Sequence, residues 1–155
     1  MYETFDHSKQ RWGGCSSIID YWLTLRQELL LSYSTVAGLN KIDKRALPSE
    51  SEFAVFCLSL MDYVSAGHFR IYNQVMEKWK ATGMKATKET DFLYFKIVET
   101  TGPLVEFNDK YSVGNFPTHH FDQFVSDISR VGEIMALRFE LEDQLIQLIA
   151  ETIKN

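Results

Sequence analysis

The chain has 155 residues, enough for one domain of ordinary size and too few for two. Hydrophobic residues make up 45% of it and charged residues 24%, which excludes an intrinsically disordered chain, because such chains lack the material for a core. No apolar run is long enough to span a membrane, and the first ten residues contain no apolar segment of a secretory signal. We therefore expect one cytoplasmic domain over residues 1–155, without membrane association.

The charge balance favours a protein partner over a nucleic acid. Sixteen basic and 21 acidic residues give a net charge of −5, and no more than two basic residues are adjacent anywhere. Direct binding to DNA or RNA usually needs a clustered basic face. An acidic surface is better suited to a basic protein partner. Cys15 and Cys57 have no metal-binding or redox spacing, so we expect two buried reduced thiols.

Helical periodicity runs through the first half of the chain. Apolar residues recur at steps of three and four from Ser16 to Val36, and Gly38 supplies a C-terminal stop. Pro48-Ser49 indicates the start of a second helix, in which Glu50 and Glu52 complement the helix dipole. The helical pattern resumes after Gly67 and ends at Gly83.

The second half predicts two more helical segments. Thr90-Asp91 is expected to cap the first of them, whose apolar positions include Phe92 and Phe95, and Gly102-Pro103 predicts a kink or break. The last helix, from about Thr118 to Ile153, is apolar over roughly 200° and must contact at least two neighbours. No segment alternates with a period of two. The predicted fold is an all-α antiparallel bundle of about four long helices, one or two of them kinked or broken.

Charged and polar residues interrupt the apolar faces at a few positions. Arg26 lies within the apolar face of the first helix, and Arg138 and Glu142 lie four residues apart within that of the last, so they can pair. Buried charges need partners. One hypothesis is an interhelical network that fixes the packing, with His68 as a further hydrogen-bonded core residue; the other is a groove that faces a ligand or partner. Asp62, by contrast, projects about 180° from Phe53, which predicts either simple solvent exposure or a partner contact.

Catalytic and metal-binding patterns are absent from the sequence. None of the four histidines has a glutamate three residues earlier, as helical di-iron sites require, and no phosphate-binding loop, nucleophile elbow or zinc spacing occurs. We expect a protein that is not an enzyme and that holds no cofactor or metal. The alternatives are a homodimeric structural bundle, a bundle that binds a small ligand or haem, and a direct DNA-binding regulator.

Three segments resemble a known family. Residues 11–30 (RWGGCSSIIDYWLTLRQELL), 56–75 (FCLSLMDYVSAGHFRIYNQV) and 138–148 (RFELEDQLIQL), together with Phe107-Asn108-Asp109, are similar to the bacterial regulator of sigma D family, Rsd/AlgQ. The resemblance extends from about Arg11 to Ile149. It implies a helical bundle that binds the C-terminal domain of the primary sigma factor, which recognises the promoter −35 element. Such binding would keep sigma from promoter DNA and core RNA polymerase.

Candidate contact residues follow from this resemblance. We favour the outward side of the segment around Asp62, where Tyr63, Ser65 and Phe69 would flank the carboxylate, because aromatic anchors beside a desolvated charge are typical of interfaces. Trp22 and Arg26 match family motifs and join the candidate partner-binding residues. His68, Arg138 and Glu142 are assigned to the structural polar network. We expect a monomer.

Overall fold

The computed structural model describes residues 16–38, 48–66, 88–111 and 121–153, and the single positions 73, 77 and 80. These residues form five helices, and no strand occurs among them, which confirms the predicted all-α bundle. The helices are α1 (Ser16–Val36), α2 (Glu50–Ala66), α3 (Lys88–Glu99), α4 (Thr101–Lys110) and α5 (Phe121–Ile153). The backbone is also helical at residues 73, 77 and 80, within the segment where a further helix is predicted.

Local signals set the ends of α1 and α2. Gly38 has a φ of 74°, the left-handed conformation that glycine adopts without strain, and its N–H donates to the Thr35 carbonyl. At the start of α2, the Ser49 hydroxyl accepts from the Glu52 N–H, and the Glu52 carboxylate accepts from the Ser49 N–H, both at 3.0 Å. This reciprocal pair is a capping box, which pins the first turn of α2.

The predicted interruption separates α3 from α4, although its details differ from the expectation. The break falls at Thr100, three residues before Pro103, because the proline has no N–H to donate and its ring crowds the preceding turn. Thr100 itself keeps helical angles, φ −75° and ψ −16°, so α4 continues close to the direction of α3. The predicted cap at Thr90-Asp91 is wrong: α3 begins at Lys88, and Thr90 is buried in its first turn.

The helices pack as two antiparallel pairs. Trp22 contacts Tyr63 and Tyr33 contacts Phe56, so α1 and α2 run in opposite directions. In the same way Arg138 reaches Ile97 and Lys110 reaches Asp127, so α5 runs against α3 and α4. Helix α4 also contacts α2, which joins the two pairs around one core. Phe92 and Phe95, two of the apolar positions of the predicted segment, lie outside this core, because both are exposed.

Aromatic rings fill one end of the core. Their centroids lie 5.0 to 6.5 Å apart, mostly in tilted or edge-to-face contact, which is the arrangement that ring quadrupoles favour. The rings come from α2, α4 and α5 and the residue that ends α4: Phe53, Phe56, Phe107, Tyr111 and Phe124. Because these rings interlock, this end of the bundle has a defined register.

A glycine allows α1 and α5 to approach closely. A Cβ atom added to Gly132 would lie 2.1 Å from the Tyr33 hydroxyl oxygen, which is far inside contact distance. That hydroxyl donates to the Ile128 carbonyl at 3.0 Å, so the hydroxyl end of the ring lies against the glycine. Only a residue without a side chain leaves room for this contact.

We expect Gly132→Ala to lower the free energy of unfolding by about 1–3 kcal/mol, because the added methyl displaces Tyr33 and breaks its hydrogen bond. Urea denaturation followed by circular dichroism measures the change. Ser129→Ala, at an exposed position on the same helix, is the matched control and should be nearly neutral. Equal stability of the two variants would contradict the close approach of the helices.

The end of α4 is fastened to α5 by one carboxylate. Asp127 accepts hydrogen bonds from Lys110 Nζ at 2.7 Å and from the Tyr111 hydroxyl. Partial burial acts to raise the pKa of Asp127, but these two donors outweigh it, and the pKa lies below its usual 3.8. The carboxylate therefore stabilises the fold at neutral pH, and this contribution is lost as the pH falls through the lowered pKa.

We expect Asp127→Asn to lower the free energy of unfolding by about 1 kcal/mol at pH 7, an amount limited by solvent screening of Lys110. The difference from the unmodified chain should shrink as the pH falls through the lowered pKa of Asp127, where this carboxylate itself becomes protonated. Urea titrations at a series of pH values from 7 downwards test this, with the exposed Asp109→Asn as the control. A difference that stays constant with pH would show that charge is not the cause.

Candidate functional site

Buried polar residues meet at the end of the core opposite the aromatic cluster, around the hydroxyl of Tyr63. This oxygen accepts hydrogen bonds from Trp22 Nε1 at 2.8 Å and from Arg26 Nε at 3.4 Å. The hydroxyl donates its own hydrogen to Glu142 Oε1 at 2.5 Å. Burial, followed by the nearby Glu142 carboxylate, raises the pKa of Tyr63 well above its usual range. The phenol therefore stays protonated and remains a donor to Glu142.

Glu142 is a carboxylate with 0% exposure, held between two arginines. Arg26 Nη2 lies 3.4 Å from Oε1, and Arg138 Nε lies 3.6 Å from Oε2. Arg26 also donates to Asp143 Oδ1 at 2.7 Å, at the edge of the bundle. Burial would lower the pKa of Arg26, but Tyr63, Glu142 and Asp143 together raise it above its usual value. Two positive and two negative groups thus balance one another, three of them inside the bundle and Asp143 at its edge.

Arg138 carries the network to the break between α3 and α4. Its Nη1 atom donates to the hydroxyls of Thr100 and Thr101, at 2.9 and 3.1 Å, and lies 3.4 Å from the Ile97 carbonyl oxygen. The guanidinium therefore binds the helix where Pro103 has interrupted it. Within the described part of the chain, Nε and Nη2 of Arg138 make no hydrogen bond, so the ion pair with Glu142 is their main compensation.

The structure confirms that Arg138 and Glu142 pair, and it corrects one part of the predicted contact surface. Tyr63 does not lie on the outward side beside Asp62, because its ring is fully buried against Phe139. Trp22 and Arg26 are buried as well, so their side chains belong to the packed interior. His68 and Phe69 lie outside the described residues, and the roles assigned to them stay predictions.

Asp62 and Ser65 are exposed, and they share their side of α2 with residues that sequence reasoning missed. Positions 51, 55, 58, 62 and 65 are all exposed and follow steps of four and three residues, which places them in one row. We call this row the Asp62 stripe: Ser51, Val55, Leu58, Asp62 and Ser65. Leu58 is 67% exposed and Val55 56% exposed. Between Phe53 and Ala66, Asp62 is the only charged residue. That lack of charge is a signal that the sequence alone already contained.

The described residues include a buried polar network and an exposed row on α2, and they include no cluster suited to metal binding. No three His, Cys, Asp or Glu side chains among them stand close enough to hold a metal ion. None of the described helices is long and apolar enough to cross a membrane. The half-buried Cys57 is a free thiol, and burial raises its pKa to about 11, which makes it a poor nucleophile at neutral pH. The fold and its interior therefore define a helical bundle tied together by buried charges.

The comparison with known proteins identifies the family. The family described as regulator of RNA polymerase sigma(70) subunit, Rsd/AlgQ, matches residues 1–150, so the chain belongs to this family. Relatives called regulator of sigma D include those of Yersinia enterocolitica, 34% identical, and Yersinia pseudotuberculosis, 32% identical. Each alignment covers 98% of this chain and at least 90% of the relative. A relative from Shigella dysenteriae is 30% identical over 99% of this chain and 97% of its own length. The family resemblance is confirmed, and it implies a sigma factor as partner.

We expect Tyr63→Phe to lower the free energy of unfolding by about 2–4 kcal/mol, because it removes the buried hydrogen bonds that the Tyr63 hydroxyl makes with Trp22 Nε1 and Glu142. Thermal and urea unfolding measure the loss. Tyr21→Phe removes the same atom from an exposed ring on α1 and should change stability little. If both variants unfold alike, the hydroxyl of Tyr63 is not the centre of the network.

Proposed function

We propose that this protein binds the C-terminal domain of the primary sigma factor and thereby withholds it from promoter DNA and from core RNA polymerase. On this view it acts in the cytoplasm as a binding protein, without catalysis or a cofactor, and one subunit binds one sigma domain. Family membership supports a sigma factor as partner. The choice of domain rests on complementarity between the Asp62 stripe and a surface that must itself bind DNA.

The observation that carries the proposal is the composition of the Asp62 stripe. A solvated helix face normally carries several charges, whereas this one presents Val55, Leu58 and small residues around a single carboxylate. Interfaces combine such an apolar centre with few, well-placed charges. A surface that recognises promoter DNA is basic, because it must contact phosphates. Asp62 would pair with one of its cations while Leu58 packs against an apolar neighbour.

Competition explains how such binding would regulate transcription. A sigma domain whose DNA-binding helix is covered by the stripe has no free surface for the promoter, so no chemical step is needed. The net charge of −5 would speed encounter with the basic domain and make it sensitive to salt. The short side chains of Ser51 and Ser65 at the ends of the stripe allow a partner helix to approach closely.

Titration calorimetry against the isolated C-terminal domain of the host's primary sigma factor tests this proposal. We expect saturable one-to-one binding that weakens with salt. Asp62→Asn should weaken binding by about tenfold and reduce its salt dependence, because it removes one charge pair without changing shape. Leu58→Ser should weaken binding by a similar factor and leave the salt dependence unchanged.

Two variants control for these changes. Glu140→Gln removes an exposed charge from α5, and Leu31→Ser removes an exposed leucine from α1 that resembles Leu58 in exposure. Neither should alter the affinity. Saturable binding that Asp62→Asn and Leu58→Ser leave unchanged would place the contact on another face. No binding at tens of micromolar would contradict the proposed partner domain itself and favour a different protein or ligand.

A further inference from the structure

A second face with exposed apolar side chains among balanced charges lies between α5 and the rod that α3 and α4 form end to end, away from the Asp62 stripe. Phe92 on α3 is 57% exposed, and Lys96 Nζ lies 5.5 Å from its ring centroid. Residues 92, 96, 99, 103 and 106 follow steps of four and three, and Thr100 keeps helical angles at the junction. They therefore form one row along the rod. Pro103 and Glu106 in this row line a groove against α5, so Phe92 projects on the same side.

Helix α5 supplies the other side of this face. Arg130 and Ile134 line the groove, and Leu137, one step further along the same row, is 51% exposed. Because the helices are antiparallel and Arg138 contacts Thr100, Leu137 lies at about the height of Glu99. Phe92 and Glu106 are each seven residues from Glu99, in opposite directions. At 1.5 Å per residue, the exposed ring and the groove lie about 10 Å on either side of this central level.

We propose that this face joins two copies of the chain, with Phe92 of each copy seated in the groove of the other. A two-fold axis that lies in the plane of contact and crosses the helices at the level of Glu99 and Leu137 places the ring of each copy over the groove of the other. This is the condition for a self-complementary contact. The groove has a volume of about 200 Å³, with the buried side chains of Phe107 and Val131 at its floor. That space suits one aromatic ring, and Arg130 at its rim is placed to stack on the ring.

The charges of this face favour contact between identical copies. Three positive residues (Lys96, Lys110, Arg130) and three negative residues (Glu99, Glu106, Asp127) give 3 − 3 = 0, whereas the whole chain carries −5. Two acidic molecules approach with least repulsion through a neutral face. The two Glu99 side chains that meet near the axis are each paired with their own Lys96 at 3.5 Å. The two Leu137 side chains supply the apolar centre.

The size of the face determines the strength of the contact. From Phe92 to Lys110 it is about 27 Å long, and two helices make it about 20 Å wide, so each copy buries about 500 Å². Stable complexes bury about 800 Å² on each partner. The association is therefore weak, and the chain is a monomer when dilute and a dimer when concentrated.

Sedimentation equilibrium of the full chain between about 10 and 500 µM tests the inference. We expect the average mass to rise from 18.0 kDa towards twice that value. Leu137→Glu and Phe92→Ser should each weaken the association at least about tenfold. Leu31→Glu, at an exposed leucine on α1, should leave it unchanged. Circular dichroism verifies that each variant is folded, and the use of two variants protects the test if one of them is not.

Cross-linking tests the register. In a chain with Cys15→Ser and Cys57→Ser, Leu137→Cys should form a disulfide-linked dimer under mild oxidation, because the two side chains meet at the axis, whereas Leu31→Cys should not. A mass that stays at 18.0 kDa at 500 µM would overturn the inference. So would a dimer that survives both Leu137→Glu and Phe92→Ser. None of these measurements involves sigma, so their failure is separate from failure of the proposed function.

Discussion

The packing of the helices depends on the buried carboxylate of Glu142, which is not accessible to solvent. An ionised carboxylate in such a site is tolerated only when hydrogen bonds and opposite charges replace its hydration. Tyr63 from α2, Arg26 from α1 and Arg138 from α5 itself meet this requirement, and Arg138 also grips the junction of α3 and α4. Every described helix is therefore tied to one point, and a shift of any of them would leave a buried charge without compensation.

The two ends of the core achieve order in different ways. Interlocking rings at the Phe53 end provide a large buried apolar area, which stabilises the fold but only weakly specifies how the helices align. At the Tyr63 end, hydrogen bonds with fixed geometry accept only one alignment of the helices. We regard the polar end as the part that selects a single packing, because an apolar core of similar volume tolerates sliding and repacking. The glycine contact between Tyr33 and Gly132 adds a steric constraint between these ends.

Periodicity and turn chemistry predicted the helices well and the positions of several side chains poorly. The bounds of α1, the stop at Gly38 and the pair Arg138 and Glu142 follow from local spacing, which the chain itself fixes. Tyr63 was placed on the outward side because it is next to Asp62 in sequence. Its angular position around α2 instead directs the ring into the core. Thr100 and Thr101 as partners of Arg138 depend on which helices become neighbours, and no local pattern contains that information. Apolar identity alone was misleading at Phe92 and Phe95, which lie opposite Leu93 and Ile97 on α3.

The buried network also bears on the proposed binding surface. Asp62 and Tyr63 are adjacent in sequence, and Asp62 is exposed whereas Tyr63 is buried. The contacts that hold Tyr63 inside therefore also fix the rotation of α2 about its axis. A capping box at Ser49 and Glu52 fixes the other end of the same helix. A surface held in this way loses little conformational freedom when a partner binds, and more of the contact energy then appears as affinity. The exposed apolar residues Val55 and Leu58 stay in place because buried contacts hold the backbone of α2. The single carboxylate of Asp62 then favours a partner that offers a positive charge at the matching position.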